Sequence, residues 1–122
     1  MEDCIFCKII KGEIPSKKIY EDDILIVFMD INPNDNGHML IVPKNHIVDF
    51  TELDDETAKH INKVIKDLKI KVYDKLNPDG IRFINNYGVY QIVKHYHLHL
   101  IPCYEPKQEL VDVDIIYDKL MN

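Results

Sequence analysis

His95, His97 and His99 of the stretch HYHLHL (95–100) are half of the six histidines in a chain of 122 residues. An imidazole can ligate a metal or move a proton near neutral pH, so the spacing matters. At i, i+2 and i+4 the three would scatter around a helix, whereas a β-strand sends alternate side chains to one face. The stretch therefore predicts a strand with a line of imidazoles roughly 6–7 Å apart and with Tyr96, Leu98 and Leu100 on the opposite face. Two uses of that line follow from the residues alone. It is a solvated polar face on an edge strand, or a three-histidine zinc site with a catalytic water. The second strains the geometry, because three ligands spread along one strand must all reach one ion at about 2.1 Å.

A second set of reactive side chains lies at the start. Cys4 and Cys7 form a CxxC, and the third cysteine, Cys103, leaves an odd total that argues against a disulfide framework. In a reducing compartment CxxC points to metal ligation or thiol redox chemistry, but the βαβ unit that accompanies the redox motif is not found. Alone, CxxC is half a metal site. Cys103 reads as a packed thiol and His60 as a solvated residue on the polar side of a helix.

These residues need elements to hold them. Cys4 to Lys11 suits a short helix that ends at Gly12 and Pro15. KKIYED (17–22), DILIVFMD (23–30), HMLIVP (38–43) and IRFIN (81–85) read as strands, separated by turn formers such as INPNDNG (31–37). Between Asp54 and about Leu76 the period becomes helical, with Ala58, Ile61, Val64, Ile65, Leu68, Val72 and Leu76 on one stripe. Thr51 and Asp54 suggest a capping box, and Asn77-Pro78-Asp79-Gly80 stops the helix. The tail VDVDIIYDKLMN closes with a short helix. Short connections and no βαβ alternation predict an α+β fold: one domain over residues 1–122, a mainly antiparallel sheet of about five strands, one long helix and short terminal helices.

Composition narrows the function. A net charge of −6 supplies no basic field for nucleic acid. No apolar run approaches the roughly 20 residues of a membrane span, and MEDCIFC lacks a basic leader region, so a cytoplasmic protein is expected.

The segments CIFCKIIKGEIPS, EDD, DINP, GHMLIVPKNH and QIVKHYHLHLIP, in this order, resemble the histidine triad (HIT) superfamily, whose signature alternates histidine with apolar residues as HYHLHLI (95–101) does. The resemblance spans about residues 4 to 103. Its N-terminal block is similar to the Hint branch, whose members include adenosine 5'-monophosphoramidases. The resemblance implies a hydrolase or nucleotidyl transferase acting on purine nucleoside phosphoramidates or related aminoacyl adenylates. It implies that His97 attacks the α-phosphorus and forms a covalent nucleotidyl-histidine, assisted by His99, His38 and Gln91. It places Asp30 and Ile31 at the ribose, Ile5, Phe6, Ile9 and Leu40 at the base, and Asn85 near the phosphate.

The same resemblance implies a structural zinc held by Cys4, Cys7, His46 and His95, which completes the CxxC. It implies a homodimer and a purine nucleotide as the small-molecule partner. Two alternatives remain: a dinucleoside polyphosphate hydrolase of the Fhit kind using the same His97, and a nucleotide-binding regulatory partner protein. The chain departs from the family pattern at NYGVY (86–90), where Tyr90 stands in a position commonly held by glycine. Ile92 also replaces a frequent Ser or Thr, while Lys94 and Pro102 are reminiscent of Fhit-like sequences.

Overall fold

The computed structural model describes residues 3–122. In chain order the elements are α1 (Ile5–Ile10), β1 (Lys18–Glu21), β2 (Leu25–Met29), β3 (Met39–Pro43), α2 (Asp55–Leu76), β4 (Gly80–Ile84), β5 (Leu98–Cys103) and α3 (Val113–Met121). Five strands form one antiparallel sheet in the order β1-β2-β3-β5-β4. The long helix α2 connects β3 to β4, and β5 then returns between them. An α+β fold with five strands was expected, and the segments named from the sequence supply its strands.

The central strands explain their own composition. Every residue of β2 and β3 is buried, so these strands are covered on both faces. Alternation divides their side chains. Leu25, Val27, Met29, Met39 and Ile41 pack against the α2 stripe of Ile61, Val64, Leu68 and Val72, with α3 adding Ile116 and Leu120. Ile26, Phe28, Leu40 and Val42 pack the other way, against Phe6 and Ile9 of α1. Burying each such side chain contributes about 1.5–3 kcal/mol, so these two layers hold the sheet in register.

Three local expectations are corrected. The histidine strand begins at Leu98 rather than His95. Before it, the Tyr96 N–H bonds the Ile47 carbonyl at 2.8 Å, which pulls the backbone out of the β3 ladder. The alternation survives, because Tyr96 enters the α2-side core while His95 and His97 turn the other way. At α2 the cap is Asp54, which accepts from the Thr57 N–H at 2.7 Å; Thr51 instead lies in a short 3-10 turn capped by Asp49. Thirdly, His60 is not free in solvent. Its Nε2 lies 2.6 Å from Asp22 Oδ2.

Gly37 shows how tightly the site-bearing loop is packed. Its φ is +97°, and a Cβ there would lie 2.6 Å from Leu76 Cδ1 and 2.9 Å from Pro102 Cγ. A side chain would meet both strain and a clash immediately before His38.

Candidate active site and metal centre

The triad histidines separate into two sites that share a wall. His97 and His99 line a cavity of about 410 Å³ on the α1 side of the sheet, and His95 points into a Cys/His cluster behind it.

The cavity is built by the periodicity of β2, β3 and β5. Leu40 pairs with His99 across the β3–β5 ladder and faces the same side as Phe28. Asp30 follows β2, and its N–H bonds the His38 carbonyl at 3.0 Å, so the two side chains end neighbouring strands. Helix α1 supplies Ile5, Phe6 and Ile9 to the cavity wall, where Phe6 meets His97 edge-on with ring centroids 5.0 Å apart. Asp30 and Ile31 also line the cavity.

Hydrogen bonds assign the tautomers. His97 Nδ1 lies 2.8 Å from the His95 carbonyl oxygen, an acceptor only, so Nδ1 carries the hydrogen and Nε2 keeps its lone pair. The Asn34 N–H donates to His38 Nδ1 at 3.0 Å, which leaves the hydrogen of neutral His38 on Nε2. That Nε2 is 2.9 Å from His99 Nδ1, which must accept, so the His99 hydrogen resides on Nε2. The chain of bonds thus leaves a bare nitrogen on His97 and a donor on His99. Burial lowers the pKa of His97, His38 and His99, and His99, further repelled by His97 and His38, falls to about 4. All three are neutral near pH 7.

Asp30, His38 and His99 also bring three potential metal donors together. The tautomer argues against that use, because His38 Nε2 bears a hydrogen as long as Nδ1 accepts from Asn34.

The second cluster has the opposite character. Cys4 caps α1 and its Sγ accepts from the Cys7 N–H at 3.3 Å, so one helical turn sets both thiols side by side. His95 Nδ1 lies 3.3 Å from Cys4 Sγ and 3.5 Å from Cys7 Sγ, and His46 Nδ1 lies 3.3 Å from Cys7 Sγ. His95 Nε2 is 2.8 Å from the Pro43 carbonyl oxygen, which fixes the hydrogen there and frees Nδ1 toward the thiols. In a tetrahedral zinc site, sulfur and nitrogen ligands sit about 3.5 Å apart. Two thiols and two imidazoles at these separations fit such an ion. Burial and the neighbouring Cys4 push the Cys7 thiol up, so its thiolate needs a cation beside it. The four expected ligands are thus together.

Other expected residues lie elsewhere. His38 is 2% exposed and stands behind His99 rather than on the cavity surface. Asn85 is exposed, and its neighbour Asn86 lines the cavity with Nδ2 3.5 Å from His99 Nε2, two donors turned toward the same space rather than bonded to each other. Gln91 faces away from the cavity, its amide nitrogen 2.6 Å from the Val48 carbonyl and 3.1 Å from that of Val93. Phe28, Ser16 and Tyr90 line the cavity without having been expected there, and Ile92, at the position where relatives often carry Ser or Thr, lines it too. Phe28 was within reach of sequence reasoning, being two residues before Asp30 on the same strand face. Ser16 gave no such signal, yet its Oγ is buried with no hydrogen-bond partner among the described residues. Among those residues no helix is long and apolar enough to cross a membrane.

Comparison with known proteins agrees with this geometry. The HIT domain family model matches residues 11–106. An uncharacterised HIT-like protein of Methanocaldococcus jannaschii is 49% identical over 111 residues, which cover 88% of this chain and 84% of that protein. The adenosine 5'-monophosphoramidase hnt1 of Schizosaccharomyces pombe is 39% identical over 108 residues, covering 87% of this chain and 77% of that protein. A zinc-bound histidine triad family protein from Mycobacterium smegmatis superposes with a TM-score of 0.83 at 27% identity, covering 98% of this chain and 94% of that one. With the family model spanning most of the chain and His97 and His99 lining one cavity, this protein belongs to the HIT domain family.

Proposed function

We propose that the chain is a nucleotide hydrolase or nucleotidyl transferase that cleaves purine nucleoside phosphoramidates, or related aminoacyl adenylates, to the monophosphate through a covalent adduct on His97. The observation that carries this reading is the unprotonated Nε2 of His97 at a cavity wall, with Nδ1–H held by the His95 carbonyl. The likeness to the Schizosaccharomyces pombe adenosine 5'-monophosphoramidase supports the substrate class.

The chemistry follows from the tautomers. His97 Nε2 donates its lone pair to the α-phosphorus, and the positive charge that develops on the ring is stabilised at Nδ1–H by the carbonyl. The His99 Nε2–H, with Asn86 beside it, faces the phosphate oxygens and offsets the charge that builds there. The phosphorus–nitrogen bond breaks, its electron pair stays on the amine, and a water proton completes the amine. The remaining hydroxide attacks phosphorus and displaces His97, so one water balances both steps. Asp30 Oδ1 accepts from the Asn32 N–H at 2.8 Å, which holds the carboxylate where ribose hydroxyls can reach it. Phe6, Phe28, Ile9 and Leu40 supply an apolar slot for the base.

Charge favours this reading over the dinucleoside polyphosphate alternative. No Lys or Arg occurs among the described residues lining the cavity, and its one carboxylate is Asp30. A polyphosphate leaving group would enter without a cationic partner, whereas an amine needs none. We also propose that Cys4, Cys7, His46 and His95 hold a zinc ion, which would cross-link α1 to the segment before β5 as a structural staple. The test is a substrate panel with products separated by chromatography. Adenosine 5'-phosphoramidate should be hydrolysed to the monophosphate faster than a diadenosine polyphosphate. A tenfold preference for the polyphosphate would transfer the chain to the alternative reading, and no turnover of either would favour the binding-partner alternative.

A further inference from the structure

Gln91 ends the short 3-10 turn Gly88–Tyr90, and its own N–H closes that turn on the Gly88 carbonyl at 3.0 Å. The residue is 4% exposed, and the partners of its carboxamide decide what it can do. Both contacts at 2.6 and 3.1 Å are to backbone carbonyl oxygens, which only accept, so the contacting atom is the NH2 nitrogen. That group has two hydrogens, and both are used. The remaining carboxamide oxygen accepts and cannot donate to an anionic phosphate.

The two carbonyls belong to instructive places. Val48 lies two residues after His46, and Val93 lies two residues before His95. The two imidazoles stand edge to face with centroids 4.7 Å apart. A further tie runs between the same segments, from the Tyr96 N–H to the Ile47 carbonyl at 2.8 Å. One side chain therefore clamps the segment carrying one histidine of the Cys/His cluster to the segment carrying the other.

We infer that Gln91 is a positioning residue for the metal centre, holding His46 and His95 at the spacing that aims both Nδ1 atoms at the Cys4 and Cys7 thiols. The inference rests on the reading that this cluster takes zinc. Metal–nitrogen bonds of about 2.0–2.1 Å leave little slack, so two ligand segments free to separate would bind the ion more weakly. Partners that hydrogen-bond a ligand directly are typically worth 10–100-fold in metal affinity. Gln91 acts through the backbone one step further out, so about tenfold is expected.

The test uses the full chain and zinc itself, in competition with a chromophoric chelator. Gln91→Leu keeps approximate volume and removes both donors, while Gln91→Glu keeps the shape and turns oxygens toward the two carbonyls. Both should bind zinc about tenfold more weakly than the unsubstituted protein, with the Glu variant at least as weak. Their melting temperature should fall more in zinc-saturated protein than in excess chelator, and adenosine monophosphate affinity at saturating zinc should stay within about twofold. Zinc affinity within twofold of the unsubstituted protein would overturn the inference, most clearly if nucleotide affinity fell instead. An equal loss of melting temperature with and without zinc would overturn it too, since Gln91 would then brace the fold at large. An unsubstituted protein that binds no zinc would remove the zinc reading first, and the clamp with it.

Discussion

The His97 imidazole hydrogen-bonds the backbone carbonyl of His95 at 2.8 Å, so a residue of the Cys/His cluster orients a residue of the cavity. His95 is itself fixed at both ends, by the Pro43 carbonyl at Nε2 and by the two thiols beside Nδ1. The carbonyl that selects the His97 tautomer is therefore as firmly placed as the cluster around it. Two sites with different chemistry share one short stretch of backbone.

Metal content is the first consequence. Protein purified without chelator should contain about one zinc per chain by elemental analysis, with the ion on Cys4, Cys7, His46 and His95. The Asp30, His38 and His99 cluster should add no second ion while Asn34 holds the His38 tautomer. Exchange of Cys4 and Cys7 for Ser should remove the zinc and lower the melting temperature more than it lowers the chemical rate. Two zinc ions per chain, or none with the thiols reduced, would contradict this.

A second expectation concerns Asp22 and His60, which join the β1–β2 turn to α2. Burial opposes the charge on Asp22, but hydrogen bonds from the Tyr20 hydroxyl, the Leu25 N–H, His60 and the Ile24 N–H outweigh it and hold its pKa well below the usual carboxylate range. His60→Ala should cost about 1–2 kcal/mol in urea denaturation at pH 7, as expected for a bond to a charged acceptor. A change below about 0.3 kcal/mol would mean that the contact contributes nothing.

Stability should also depend on pH through His99. Asp30, His38 and His97 are the titratable groups facing it, and burial with the two imidazoles lowers its folded pKa to about 4 from the ordinary 6.5. Between those values the unfolded chain binds the proton and the folded chain does not, so stability rises with pH in that window. The contribution is complete above pH 6.5 and is lost as pH falls toward 4. His99→Gln should flatten this part of a denaturation-against-pH curve, and an unchanged slope would contradict the burial argument.

The strands and helices were legible in the sequence because burial on two faces leaves a strong apolar pattern, as in Leu25–Met29 and Met39–Pro43. The alternation of HYHLHL was legible too, although its ladder begins only at Leu98. The destination of each imidazole was not, because His95 and His97 point to different sites from neighbouring positions on one face. Asn86 was missed for a similar reason. Where the chain leaves β4, the residue facing His99 is set by the backbone of the loop, not by periodicity. The pairing of His60 with Asp22 depends on how α2 crosses the β1–β2 turn, a tertiary relationship that leaves no local signature.

Assembly gives a further test. The family resemblance implies a homodimer, and two large apolar residues on α2 and the edge strand β4, Ile70 and Phe83, are 64% and 43% exposed. Light scattering at micromolar concentration should give twice the chain mass, and Phe83→Asp should shift it toward one chain. A monomeric unsubstituted protein would remove the dimer from the account.

Whether His97 is the nucleophile can be read directly from the peptide that carries it. The protein is mixed briefly with adenosine 5'-phosphoramidate, quenched without acid, digested, and the peptide spanning residues 95 to 99 is weighed by mass spectrometry. An adenylyl group is expected on His97, absent from His97→Ala, whose turnover should fall by several orders of magnitude while nucleotide binding remains. His99→Ala, which lacks a single donor to the phosphate, should lose only about 10²–10³-fold in kcat and still form the adduct. Hydrolysis at full rate with no adduct at any mixing time, or undiminished turnover by His97→Ala, would contradict that role for His97.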